Sequence, residues 1–152
     1  MQHPSEPATI LIVEDDRHLG RALARVLTSD TQRPLLARTS RSAQRLLQKH
    51  APRLVLLDAS LREGTAINLL EKISENHRGL PIILLAAHRL DQSKLRGCVH
   101  QVVTKSINLR ELRETVGAAL GVASRFDLPK SVLHSGPHHS APPSLHAIAI
   151  GH

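Results

Sequence analysis

Aromatic side chains are nearly missing from this sequence. Among 152 residues there is one phenylalanine, Phe126, and no tyrosine or tryptophan. A core must therefore be built from Leu, Ile, Val and Ala, and the apolar fraction of 41% allows one. Cysteine is also scarce. Cys98 stands alone, which excludes an internal disulfide framework and fits a reducing cytosol. Its simplest reading is a small, partly buried side chain rather than a reactive thiol. No apolar run approaches the ~20 residues of a membrane-spanning helix. Met1-Gln2-His3-Pro4 lacks the shape of a signal peptide. A cytoplasmic protein with no membrane contact is the expectation. Acidic charge is in the minority: 13 Asp and Glu face 20 Lys and Arg, for a net charge of +7. That balance permits acidic or nucleic-acid partners. The basic residues, mostly Arg, are scattered without a dense run, so a generally Arg-rich surface is the simpler reading.

Strand and helix patterns alternate along the chain. Residues 1–8 form a polar lead. Thr9-Ile10-Leu11-Ile12-Val13 reads as a buried strand ending in Glu14-Asp15-Asp16. A helix from about Arg17 to Ser29 places Leu19, Ala22, Leu23, Val26 and Leu27 on one face. Arg33-Pro34 breaks the chain before a short strand, Leu35-Leu36-Ala37, whose leading proline suits a sheet edge. Thr39 or Ser40 caps a helix reaching about Lys49, with Ala43, Leu46 and Leu47 inward. Leu54 to Asp58 is the third strand, four apolar residues carrying one carboxylate at their end. Ala66 to about Glu75 is helical with Ile67, Leu70 and Ile73 inward. Ile82 to Leu85 is the fourth strand, Asp91–Arg96 a short helix stopped by Gly97, and Gln101 to Thr104 the fifth strand. Asn108–Leu120 is the last helix, with Leu109, Leu112, Val116 and Leu120 inward. Five such alternations predict an α/β domain with a parallel sheet over residues 9–121. Residues 122–152 turn to Pro, Ser, Gly and His without periodicity and read as a disordered tail or linker.

Three strands deliver polar groups at their carboxyl ends: Glu14 and Asp15, then Asp58, then Lys105. In a parallel sheet these share one edge, the edge where ligands bind. Clustered carboxylates repel one another, and a hard divalent cation such as Mg²⁺ relieves this with carboxylate and phosphate oxygens. Lysine adds a compact positive charge for Asp58 or an incoming phosphoryl group. An aspartate so placed can attack phosphorus. Each residue alone has a plainer reading: a helix-terminal charge bias, a cap, or a solvated lysine. Their joint spacing in successive units favours the chemistry.

At these residues the chain resembles the receiver domain of bacterial two-component response regulators. The resemblance covers residues 8–121. It rests on Ile10-Leu11-Ile12-Val13-Glu14-Asp15-Asp16, Leu54-Val55-Leu56-Leu57-Asp58 and Val103-Thr104-Lys105. It implies a flavodoxin-like sheet of order 2-1-3-4-5 with helices on both faces. It implies that Asp58 accepts phosphoryl from a histidine kinase or phosphotransfer protein. It further implies that Glu14, Asp15, Asp58 and the Ser60 carbonyl hold Mg²⁺, and that Lys105 contacts the phosphoryl group. The chain also departs from the family pattern. Ala86 stands where Thr or Ser is usual, leaving only its backbone for the phosphoryl group. Val102 takes the switch position of a Tyr or Phe, Ser106 replaces a proline, Arg62 a common Pro, and Ala66 a common Gly. The chemistry looks retained and its conventional readout weakened.

Arg17, Arg21 and Arg25 recur on the first helix beside the acidic site. They read as a solvated face or as a docking stripe for an acidic partner. His134, His138, His139, His146 and His152 match no metal-site spacing. Phe126 could dock on the last helix or begin a linker. Four functional readings stand beside one another. The first is a phosphoacceptor, with control of transcription as its output and a homodimer formed through the fourth and fifth units. The second is an interaction module independent of phosphate. The third is a transcription regulator whose DNA-binding part is short, cryptic or missing from this chain; no second helical pattern supplies a helix-turn-helix, so no direct nucleic-acid binding by the receiver-like domain is the expectation. The fourth is a Mg²⁺-dependent phosphatase, which would need an aspartate where Ser60 stands.

Overall fold

The β-rich half of the alternation forms one parallel sheet. The computed structural model describes residues 5–62, 65–95 and 97–122. Its strands are β1 (Ala8–Val13), β2 (Gln32–Ala37), β3 (Leu54–Asp58), β4 (Ile82–Ala86) and β5 (Gln101–Thr104). Their order is β2-β1-β3-β4-β5, and each neighbouring pair is parallel. The helices are α1 (Arg17–Leu27), α2 (Ser40–His50), α3 (Ala66–Asn76) and α4 (Leu109–Val122). This is the flavodoxin-like arrangement expected.

The period-two pattern of the strands sorts the core into two layers. Ile10, Ile12, Leu54, Leu56, Ile83, Leu85 and Val103 pack with α1 and α4. Leu11, Val13, Val55, Leu57, Ile82 and Leu84 pack with α2 and α3. Every residue of β3 and β4 is buried. That is why their sequences are unbroken apolar runs rather than alternating ones. The sequence direction reverses between β1 and β3: the chain first steps outward to β2 and then returns past β1. Loops leaving β1 and β3 therefore splay apart at their carboxyl ends, opening the crevice that such sheets use.

Several element limits differ from the sequence reading. β2 starts at Gln32, so Pro34 lies inside it, paired with Ile10. An edge strand tolerates proline because one side of its ladder is free. α1 stops at Leu27, and α4 reaches Val122. Ile67 was expected inside but is 61% exposed. The buried stripe of α3 is Ala66, Leu69, Leu70 and Ile73, which has the i, i+3, i+4, i+7 spacing, and Ile67 sits about 100° round the helix from Ala66. The helix expected at Asp91–Arg96 is a single 3-10 turn, Gln92–Leu95, followed by Gly97 at φ +86°. Four α-helices, rather than five, thus cover the sheet among the described residues. Where the shortened element leaves space, Ile67 and Leu90 rim an apolar pocket floored by Ala66, Leu70 and Leu84. The Lys105–Ser106 bond is trans, like every other peptide bond described. The expectations for residues 123–152, including Phe126 and the tail histidines, lie outside the described residues.

Candidate functional site

Each acidic or basic side chain at the sheet edge is fixed by the ladder that precedes it. Glu14 follows β1, and its N–H donates to the Ala37 carbonyl at 2.9 Å. Asp58 ends β3, opposite Leu85 of β4. Lys105 follows β5, and its N–H donates to the Ala86 carbonyl at 2.8 Å. Asp16 caps α1 by accepting the Leu19 N–H at 2.9 Å, which turns the chain away from the sheet directly after Asp15. An aspartate just before a periodic apolar stretch is the usual sign of such a cap.

These constraints bring Glu14, Asp15 and Asp58 together, with one oxygen of each within 4.8 Å of the others. Lys105 Nζ stands 2.9 Å from Asp58 Oδ1 and 3.8 Å from Glu14 Oε2. Glu14 and Asp58 are the buried charged side chains among the described residues, each 1% exposed. Asp58 Oδ1 also accepts the Ser60 N–H at 3.0 Å and the Ser60 hydroxyl at 2.8 Å. Burial alone would raise the Asp58 pKa. The Ser60 N–H, Lys105 and the Ser60 hydroxyl outweigh it and hold the carboxyl below its ordinary value. Glu14 has the opposite fate. Burial, reinforced by the Asp58 charge, pushes it up to about 8. Its Oε1 accepts the Asp16 N–H at 3.0 Å. Its Oε2 is buried with no hydrogen-bond partner.

A buried, unpartnered carboxylate oxygen facing two more carboxylates is an all-oxygen donor set suited to a hard divalent cation. The residues present could hold a metal ion, and Mg²⁺ fits their chemistry. The site combines an ionised, hydrogen-bonded aspartate, a lysine in contact with it, and room for cationic charge between carboxylates. That arrangement can support attack on phosphorus or bind an oxyanion.

The sequence reading brought together Glu14, Asp15, Asp58 and Lys105, and the structure places them side by side. It overlooked the Ser60 side chain, whose hydroxyl donates to Asp58 and accepts from Lys105 Nζ at 3.4 Å. A hydroxyl two residues after a strand-end aspartate is the signal that could have revealed it, since such a side chain can fold back in an Asx-like turn. Arg62 was noted only as a departure. Its N–H donates to Asp15 Oδ2 at 3.0 Å, while its side chain is 93% exposed and 3.9 Å from that oxygen. Ala86 is buried and its carbonyl holds Lys105. Val102 is half-buried, pairs with Leu84, and packs on the α2 and α3 side. Arg17, Arg21 and Arg25 are exposed along α1. No helix among the described residues is long and apolar enough to cross a membrane.

Comparison with known proteins agrees with this fold. Residues 10–117 match the sequence model of the response regulator receiver domain. Transcriptional regulatory protein KdpE of Staphylococcus aureus is 29% identical over 130 residues, covering 84% of this chain and 56% of that protein. TcrX of Mycobacterium tuberculosis is 26% identical over 110 residues, covering 70% of this chain and 47% of that protein. The chain thus spans about half the length of these curated relatives. A CheY-like response regulator receiver domain protein from Methanospirillum hungatei superposes with a TM-score of 0.73 at 21% identity. That match covers 79% of this chain and 98% of the other.

Proposed function

This chain belongs to the response regulator receiver domain family of two-component signalling, and from that premise we propose that Asp58 is its phosphoacceptor. Receiver domains are signalling domains rather than enzymes with a separate substrate. The donor is a phosphohistidine on a sensor histidine kinase or a histidine phosphotransfer protein. The observation that carries the reading is the Asp58 carboxylate, buried yet held ionised by Lys105 at 2.9 Å and by Ser60. Three donors occupy Oδ1, which leaves Oδ2 to attack phosphorus. A P–O bond forms, the P–N bond to the donor imidazole breaks, and that imidazole takes up a proton. Lys105, already at the carboxylate, follows the charge onto the phosphoryl oxygens. Glu14, Asp15, Asp58 and the Ser60 carbonyl would hold Mg²⁺, which supplies charge neutralisation for the carboxylates and the phosphoryl group. The output proposed is control of transcription, as the names of the curated relatives suggest, with residues 9–121 as the signalling unit and the remainder as linker. Pairing of two copies through the fourth and fifth β-α units belongs to the same reading.

The chain incubated with acetyl phosphate and Mg²⁺ should gain the mass of one phosphoryl group, and lose it on standing. An unchanged mass with small donors and with phosphorylated kinases would refute the reading.

A second reading is an interaction module whose partner binding ignores phosphate. It is favoured by Ala86, which offers no hydroxyl to a phosphoryl group, and by Val102, which has no ring to turn inward. Losing a charge-assisted hydrogen bond made in one state only removes roughly 1.5–3 kcal/mol of the difference between states. That is about a ten- to hundredfold smaller population shift. Beryllofluoride should therefore perturb amide resonances near Asp58 and Lys105 but move residues 88–102 little, and Ala86→Thr should enlarge the response there. Wild-type shifts across 88–102 as large as those of Ala86→Thr would show that the signal takes another route.

A further inference from the structure

The basic residues, scattered in sequence, gather at one edge of the fold. From Arg17 to Arg53 there are nine Lys and Arg against one acid, Asp30. That is eight net positive charges, more than the +7 of the whole chain. This segment is α1, the edge strand β2 and α2, and the two helices flank β2 on opposite faces of the sheet. Arg17, Arg21 and Arg25 repeat every four residues on α1, and Arg41, Arg45 and Lys49 do the same on α2. At 1.5 Å per residue each stripe has a charge about every 6 Å along its helix. All six are exposed, as are Arg33 and Arg38 on and after β2. Gly20 lets Leu36 approach α1, to where a Cβ would lie 2.9 Å from Leu36 Cδ1. The flank of α1 bearing Arg17 therefore leans over β2. On α2, Gln44 and Gln48 share a pocket with Lys72 and Asn76 of α3, so α3 lies on that flank and Arg45 and Lys49 lie outward of it. None of the nine basic groups is in an ion pair among the described residues.

We propose that this α1–β2–α2 edge binds the phosphate backbone of duplex nucleic acid without reading sequence. Three observations select that partner among polyanions. Eight of the nine basic groups are Arg, whose planar fork fits phosphate and is more weakly hydrated than an ammonium. The face has no exposed large apolar side chain. The two in the described chain, Ile67 and Leu90, lie on α3 and beyond β4. A protein interface needs an apolar or aromatic centre, whereas backbone binding to a duplex needs charge alone. A single strand is held by aromatic stacking, and the described residues contain no aromatic side chain except histidine. No helix-turn-helix is required, since base edges are not read.

The test is fluorescence anisotropy with a labelled 25-base-pair duplex of arbitrary sequence, the chain being titrated at several salt concentrations. Six phosphate contacts predict a slope of log K against log salt of about −5, a loss of roughly 10³ in affinity between 50 and 200 mM salt. Arg41→Gln/Arg45→Gln/Lys49→Gln should reduce the slope to about −3 and weaken binding at least tenfold at 50 mM salt. Phosphoryl uptake at Asp58 should be unchanged in that variant, so failure here is separable from failure of the phosphoacceptor reading. A scrambled duplex should bind equally. The proposal is overturned by tighter binding to a single strand of equal length or to polyglutamate. It is likewise overturned by binding to vesicles of anionic lipid but not to the duplex, by no binding at 50 mM salt, or by an unaffected triple variant.

Discussion

Asp58→Asn is expected to abolish phosphoryl uptake while leaving the fold in place. Asparagine keeps the volume at the end of β3, and its amide oxygen can still accept the Ser60 N–H and hydroxyl. It removes the nucleophile. The charge balance also survives. Lys105 loses a partner at 2.9 Å but retains Glu14 Oε2 at 3.8 Å, and Glu14 loses the neighbour whose charge opposes its ionisation. One buried pair is exchanged for another, and stability should change by about 1 kcal/mol or less. Lys105→Met is the contrasting variant. It leaves the Asp58 carboxylate, 1% exposed, without a cation beside a Glu14 that holds its proton at neutral pH. Breaking a buried pair in that way costs about 3–5 kcal/mol, and the 20% exposure of the lysine side chain favours the lower end. Intact-mass spectra after acetyl phosphate treatment and urea unfolding at neutral pH read both quantities. Uptake persisting in Asp58→Asn would move the acceptor elsewhere. A Lys105→Met chain as stable as the wild type would show that Lys105 is not the countercharge of the buried pair.

The sheet and the carboxylate cluster were legible in the sequence for one physical reason. Strands buried on both faces must be apolar throughout. A carboxylate that ends such a run is therefore conspicuous, and strand alternation with helices fixes the edge it belongs to. Asp58 after Leu54–Leu57 shows this most directly. What escaped depended on distance rather than pattern. The Ser60 hydroxyl looks like any loop serine until its 2.8 Å contact with Asp58 is seen. Ile67 follows the composition of a core residue, but Ala66 and Leu69 occupy the inner stripe. Apolar content alone cannot choose between adjacent helical positions. The turn at Gln92–Leu95 is shorter than the Asp91–Arg96 helix expected, because a stretch of fewer than two helical turns carries too little periodicity to measure a length. The basic edge was missed for the same reason as Ser60. Charges spaced four apart on two different helices become one surface only when β2 lies between them.

Stability in the absence of metal is expected to fall as pH rises from about 5 to 8, and Glu14 is the cause. In the unfolded chain its carboxyl releases a proton near the ordinary value of 4.5, whereas in the folded chain burial and Asp58 hold the proton up to about 8. Between those values the folded state binds a proton that the unfolded state does not, so raising the pH favours unfolding. The contribution is complete below 4.5 and is lost as the pH passes through the folded value. Its slope approaches about 1.4 kcal/mol per pH unit where the two states differ by one proton. Asp58 acts in the opposite sense: its lowered pKa gives stability that is present above 3.8 and lost as the pH falls through the folded value. It therefore contributes nothing to the slope above pH 5, and the window from 5 to 8 reports Glu14. Mg²⁺ should reverse the trend, because its ligands bind it deprotonated and metal binding grows as Glu14 is released from its proton. The measurement is urea unfolding at half-unit pH steps, with and without Mg²⁺, for the wild type and Glu14→Gln. Glutamine carries no proton to lose, so the variant should be flat relative to the wild type, and any other group titrating in the window cancels in the difference. Parallel curves for the two chains between pH 5 and 8 would show that Glu14 is ionised throughout, and that Lys105 and Ser60 neutralise the site without a second cation.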